Sequence, residues 1–344
     1  KDTVTLYVSD SRGDDVNGTG SLDKPYKTIK TALSNGYKQS AVIVVRVLEG
    51  NYSGVLNNNL TVAASLDISI VGDGKGVTII DCQDISWFFK ILAGDGIIRI
   101  ENMTVANVTK NYVDAKQYNQ MPALTIENGA VVSLDGVEFI RCHGTEGGAI
   151  LNEGTLDVVN SRFFNNGDSN NGAAIKNMGT VTIDNSEFIA NHAKYFSTIY
   201  NDGLLFISNS LIQDAMRVNG WTGNAIAVGG KGNTTIYNST ISRSGKTSNE
   251  LIGTGQTWNN NPGFVIGIVS TSGTVKVFDC VIDGNSKAYS AQYVSNYAFG
   301  GTSGVPLNVE VVNTKIVNVL GLVMNSIGNN LFDSCYIENV TNAH

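Results

Sequence analysis

Proline and charge are scarce in this chain. Only 4 prolines occur in 344 residues, and Asp, Glu, Lys and Arg together make up 15%. No charge run or low-complexity stretch marks a linker, so length alone does not divide the chain into separate domains. No apolar run is long enough to cross a membrane. The four cysteines, Cys82, Cys142, Cys280 and Cys335, are too few and too scattered for a disulfide scaffold or a zinc site. A basic surface is lacking too, and a net charge of −7 argues against nucleic acid as a partner. Neither an initiator Met nor a leader peptide precedes Lys1, which reads as a processed form or a piece of a longer parent.

What is abundant points to strands and tight turns. Gly accounts for 38 residues and Asn for 40, amid many Ser, Thr, Val and Ile. Three segments align directly: "AILNEGTLDVVNSRFFNN", "AIKNMGTVTIDNSEFIAN" and "TIYNDGLLFISNSLIQDA". Each reads apolar–Asn–x–Gly, then an alternating strand, then Asn-Ser-x-Phe/Ile. Taking the second Asn as an anchor extends the register over Asn102, Gly136, Asn160, Asn185, Asn209, Asn238, Asp279, Asn313 and Ser334. An apolar residue stands two positions before every anchor, from Ile100 to Phe332, and another three positions after it, from Val105 to Ile337.

Short strands of period two cannot bury an apolar face alone, but stacking one turn per repeat buries it continuously. Parallel stacking puts equivalent residues about 4.8 Å apart, so an Asn column can hydrogen-bond as a ladder. Asn and Gly also tolerate the left-handed backbone of a sharp corner. A sandwich would give alternation without columns at fixed offsets. The expected fold is therefore all-β: a single-stranded right-handed parallel β-helix, a solenoid of about ten turns with an N-terminal capping helix. One domain spans 1–344, with the first strand, loop and capping helix in 1–40 and the β-helix turns in 41–344. In the capping segment Tyr26, Ile29, Ala32 and Leu33 recur at helical spacing, and Asn35-Gly36 is expected to end the helix. Cys280 and Cys335 fall two turns apart, too far for the approach of under about 7 Å that a disulfide needs, and are expected unpaired and packed.

The opening "GDDVNGTGSLDKPYKTIKTAL", then "VLEGNYSG" and "IVGDGKGVTIID", resembles the capping region of the pectin lyase-like superfamily of right-handed β-helices. The Asn/Ser/Gly-rich turns are most similar to adhesin-like surface proteins of methanogenic archaea. That resemblance implies secretion, cell-surface attachment and binding of a glycan or of another cell's surface protein. It supplies no binding motif that can be carried over residue by residue.

The superfamily also holds lyases, glycosidases and esterases, so chemistry has to be sought in the residues. The galacturonan hydrolases' Gly-His-Gly motif fails here, since Cys142 precedes His143, and an Arg-x-Lys motif is missing. Asp14-Asp15 falls in the capping segment, and no close carboxylate cluster is expected on the stack. "GDGKG" lacks the Lys-Ser/Thr ending of a phosphate loop. The repeated Ser161, Ser186, Ser210 and Ser239 read as turn residues rather than nucleophiles. A fallback polar face gathers Asp168, Lys176, His192, Lys194, Tyr200 and Asp202, with Lys176 and Tyr200 in one column.

Anchor spacing is short across the middle turns and longer elsewhere. All the extra residues enter at one corner, after the strand that follows the anchor. Insertions at one corner project from one side, where solenoids commonly bind. They carry aromatics, which stack on sugars or bury at interfaces. The expected ligand-binding residues are Tyr112, Tyr118, Trp221, Trp258, Tyr289 and Tyr293, with Lys176 and Tyr200 on the face between. The resulting expectation is a non-catalytic, monomeric extracellular adhesin domain, with no catalytic residue, no cofactor and no membrane insertion. The alternative is a polysaccharide lyase or glycoside hydrolase acting on an acidic polysaccharide, with calcium as its possible cofactor. A structural stalk or fibre module is a third reading.

Overall fold

The computed structural model describes residues 2–39, 42–108, 121–167, 170–193, 197–217, 223–244, 263–269, 273–284, 297–301, 304–324 and 328–341. Each full rung of the coil contributes three strands. In one rung these are Ile150–Asn152, Thr155–Val159 and Arg162–Phe164; in the next they are Ile175–Asn177, Thr180–Asp184 and Glu187–Ile189. Every pairing among them is parallel and in register with the rungs above and below. The sheet that precedes the anchor runs through twelve strands, from Thr3–Val8 to Asn330–Asp333. The sheet that follows the anchor lies against it, and the third sheet holds ten strands. This is the expected right-handed parallel β-helix.

The anchor column is a column of left-handed corners. Asn102, Asn160, Asn185, Asn209, Asn238, Asp279, Asn313 and Ser334 have φ between 44° and 54°, and Gly136 has 64°. Such a backbone is costly for most side chains, and Asn tolerates it because its short amide bonds locally. The amides also bond vertically: Asn185 Nδ2 donates to Asn160 Oδ1 at 2.7 Å, and Asn238 Nδ2 to Asn209 Oδ1 at 2.7 Å. Beside them the serines stitch the corner, as Ser161 N–H donates to Ser186 Oγ and Ser186 N–H to Ser210 Oγ, both at 3.1 Å.

A second corner column, five residues after the anchor, was not anticipated. Asn107, Arg141, Asn165, Ala190, Asp214, Arg243, Asn318 and Asn339 all have φ between 52° and 58°. Here the fold imposes the conformation on Arg and Ala as well as on Asn, at a cost of roughly 1–2 kcal/mol for each.

One continuous core runs inside the coil from Leu6 to Val319. Like sits on like: Phe163 stacks on Phe139 at 5.1 Å and on Phe188 at 4.5 Å between ring centroids. A buried amide ladder lines one inner corner, with Asn152 Nδ2 donating to Asn177 Oδ1 at 2.9 Å and Asn177 Nδ2 to Asn201 Oδ1 at 2.8 Å. All three residues are fully buried, so each amide depends on its neighbour for satisfaction. The four cysteines are free; Cys280 is buried and Cys335 partly so.

Helix α1 (Ile29–Tyr37) covers the first rung with Ile29, Ala32 and Leu33, and Thr28 caps it by accepting from Thr31 N–H. It does not stop at Asn35-Gly36. Gly36 lies inside the helix because a Cβ there would come within 2.8 Å of the Ile43 side chain. Glycine at this position permits close packing rather than termination.

The two ladders give opposite stability expectations. Ala190→Asn should raise the unfolding free energy by about 1 kcal/mol, because Asn is better suited to φ > 0. Asn177→Ala should lower it by about 2–3 kcal/mol, because Asn152 and Asn201 lose buried partners. Chemical denaturation of both variants beside the wild type checks the pair.

Candidate functional site

The anchor corner is also a groove. A recess of about 730 Å³ runs along it over four rungs, floored by Asn160, Asn185, Asn209 and Asn238 and walled by Arg162, Glu187, Leu211 and Thr240. Each of these amides donates one N–H to the rung below, Asn185 and Asn238 to the amides of Asn160 and Asn209, and Asn160 and Asn209 to Asp135 and Asp184, which leaves hydrogen-bonding capacity unused. The serines beneath are consumed by the backbone, which fits their reading as turn residues rather than nucleophiles. One end of the groove is closed by Lys75, whose Nζ donates to the Asn160 carbonyl at 3.0 Å. The loop that carries it is pinned by Gly74 N–H to the Asn102 carbonyl and Gly76 N–H to Thr104 Oγ1, both at 2.9 Å.

Charge concentrates two residues after the anchor. Glu138, Arg162 and Glu187 are register partners on three successive rungs. Arg162 Nη1 lies 3.1 Å from Glu138 Oε2, and its Nε lies 3.7 Å from Glu187 Oε2. Thr104 Oγ1 donates to the other Glu138 oxygen at 3.2 Å. The guanidinium lies over the Phe164 ring, its Cζ 4.6 Å from the centroid. Exposure separates the two acids: the Glu138 side chain is 16% exposed and that of Glu187 53%. Asp184, on the adjoining face, is committed elsewhere, since Ser208 Oγ and Asn209 Nδ2 bond its carboxyl and hold it below the usual carboxylate range.

The sequence reading did not single out Glu138 and Glu187 as a pair. The two acids are far apart in sequence but share one offset from their anchors, so stacking brings them to either side of Arg162. The column that revealed the fold held this signal as well.

On the third sheet Lys176 and Tyr200 are register partners, as their shared column implies. Lys176 Nζ sits 2.8 Å from Glu146 Oε2 and 5.9 Å from the centroid of the Tyr200 ring. Asn171 Nδ2 also donates to Glu146, and the Tyr200 hydroxyl bonds Asp202. The next rung offers glycine at this point, because a Cβ on Gly229 would meet the Tyr200 hydroxyl at 2.1 Å. His192 stands in a different column, 5% exposed, with its ring 6.2 Å from that of His143. Tyr112, Tyr118, Trp221, Trp258, Tyr289 and Tyr293 lie outside the described residues, as do Asp168 and Lys194. The flanking strands show where the long insertions enter. Val108 precedes Leu124, Ser242 precedes Phe264 and Asp283 precedes Tyr297, each time between the sheet that follows the anchor and the third sheet. The groove thus occupies a different corner from the insertions. Among the described residues no group of three or more His, Cys, Asp or Glu is placed to hold a metal ion, so the calcium considered for a lyase finds no donor set there. No helix among them is long and apolar enough to cross a membrane.

No family model matches the sequence, and no curated protein matches it. Solved structures do. A variant of the catalytic domain of a GH87 α-1,3-glucanase in complex with nigerose aligns over 95% of this chain, with a TM-score of 0.58 at 13% identity. This chain spans 65% of that one. Pectin methylesterase PemA from Erwinia chrysanthemi aligns over 84% of this chain and 91% of its own, with a TM-score of 0.51 at 13% identity. At such identities the likeness establishes the fold. It is the right-handed parallel β-helix.

The expectation of a non-catalytic adhesin domain is overturned at this point. Solved structures that share the coil along most of this chain include catalytic glucanase domains and a pectin methylesterase. The aromatic insertions behind that expectation lie outside the described residues. What the described residues present is a polar groove lined by Arg162 and Glu187, with Glu138 bonded to Arg162 one rung beyond it.

The third-sheet cluster makes a pH prediction. Burial, then Asp202 and Glu146, push the Tyr200 phenol up to about 12, against about 10 in an unfolded chain. Between those values the unfolded state releases a proton that the folded state keeps. Tyr200 therefore contributes stability that is complete below pH ~10 and lost as pH rises toward 12. Denaturant titrations across this window should show a shallower decline for Tyr200→Phe than for the wild type.

Proposed function

We propose that this chain is an extracellular glycoside hydrolase domain that cleaves a polysaccharide lying along the anchor groove. The observation that carries this reading is the pair Glu138 and Glu187, held on alternate rungs with Arg162 between them beside a groove open to a polymer. Two rungs separate their Cα atoms by about 9.6 Å. The glucanase likeness supports the same reaction class.

Glu187, the more exposed acid, donates its proton to the glycosidic oxygen as the bond to the anomeric carbon breaks. Glu138 takes a proton from water as the water oxygen bonds to that carbon. Arg162 positions both carboxylates. Outward amides one rung apart along Asn160, Asn185, Asn209 and Asn238 suit a ligand built of like units. The Lys75 ammonium at the closed end favours an acidic unit there.

Glu187→Gln and Glu138→Gln should each lower kcat by about a hundred- to ten-thousandfold, with the fold retained by circular dichroism. Reducing ends released from α-1,3-glucan, polygalacturonate and a panel of other polysaccharides are the readout, and NMR of the first product gives its anomer. Lys75→Ala should lower kcat/KM on acidic polymers several-fold more than on neutral ones. Release of no reducing ends from any polymer by the wild type overturns the assignment.

A further inference from the structure

The far end of the groove, away from Lys75, opens onto an unusual part of the first sheet. Elsewhere that sheet turns outward a mixture of polar, charged and β-branched residues, such as Asp157, Thr182, Arg99 and Val131. On successive rungs beside Asn209 and Asn238 it shows Phe206, Tyr237 and Phe278, three aromatic side chains that all point outward. Their inward neighbours Leu205, Ile207, Ile236 and Val277 fill the core. Phe206 is 47% exposed and Tyr237 51%, with Leu204 beside them at 42%. Phe278 is half-buried.

Register fixes how they lie together. Tyr237 pairs with Phe278 one rung on. Ser208 pairs with Tyr237, which puts Phe206 on the diagonal, about 7–8 Å away and within reach of an aromatic side chain. The Tyr237 hydroxyl bonds Asp279, and Asn313 Nδ2 holds Asp279 Oδ1 at 2.6 Å. Tyr237 is thus tied to the corner ladder rather than free to turn down into a packing contact. An exposed aromatic group of this size wants a flat partner, and a sugar ring offers one face of C–H groups with hydroxyls at its rim.

We propose that Phe206, Tyr237 and Phe278 form a stacking platform for the sugar units of the chain that leave the groove past Asn238. This rests on the groove being the polysaccharide site, and continuity carries it. Tyr237 is the immediate neighbour of Asn238, the last amide of the groove floor, so a polymer leaving that end passes over the platform. The platform makes recognition depend on chain length: a short oligosaccharide held at Glu187 does not reach it, and a polymer does.

The test uses the full chain with Tyr237→Ala, Phe206→Ala and Tyr237→Phe. Migration through gels containing α-1,3-glucan or polygalacturonate reports binding directly. Reducing-end release from oligosaccharides of increasing length reports KM and kcat. For a cleaved polymer, KM should rise roughly five- to tenfold in each alanine variant, with kcat unchanged. The shortest cleaved oligosaccharide should show no change, and Tyr237→Phe should behave as wild type. Gel retardation of the wild type that the alanine variants lose supports the platform even if no polymer is cleaved, an outcome that sinks only the hydrolase assignment. Equal retardation of all variants, or none for the wild type in any polymer gel, overturns the platform. Unchanged melting temperatures exclude a merely structural effect.

Discussion

The structure depends on a left-handed corner that must recur at every rung while the rungs stack about 4.8 Å apart. At the anchor that requirement selects Asn twice over. Its backbone tolerates φ near 50°, and its amide can donate to the rung below and accept from the rung above. Once the amides are in register, everything attached to them is in register as well. Phe139, Phe163 and Phe188 meet face to face inside, and outward residues line up in columns. Core packing and groove chemistry therefore share a single geometric origin.

How much of this was legible in the sequence follows from side-chain chemistry. The anchor corner could be read because only a few residue types serve there. The second corner could not, because Arg141, Ala190 and Arg243 carry no mark of the left-handed conformation that the coil forces on them. Gly36 was misread because glycine in a helix can mean an ending or a close neighbour, and only the position of Ile43 distinguishes them. The groove acids were within reach of the same offsets that revealed the stack. They were overlooked because acids 24 or more residues apart do not look like a cluster until the chain is wound. Lys176 and Tyr200 were placed correctly in one column, whereas the partners that complete their network, Glu146 and Asn171, come from the turn where the repeat is least regular.

Two kinds of polar surface thus differ in what they offer a ligand. The third-sheet cluster is closed on itself: Glu146 neutralises Lys176, and Asp202 occupies the Tyr200 hydroxyl. A ligand there would displace bonds already made in half-buried surroundings, and doing so costs free energy. At the anchor corner the vertical bonds leave hydrogen-bonding capacity unused, so a polymer can be bound without dismantling the wall. A structural ladder and a binding floor are compatible here because an amide has more hydrogen-bonding capacity than the ladder uses.

The placement of Arg162 also limits how this coil can change its length. A solenoid ordinarily tolerates the loss or duplication of a whole coil, since each coil touches only its neighbours. Removing the coil that carries Arg162 would set Glu138 directly beneath Glu187, and like charges at adjacent positions repel. Duplicating it would drive the two acids a further coil apart and leave two arginines face to face. Elsewhere the molecule is free to grow or shrink by repeats; at this one coil its repeat number is fixed by charge.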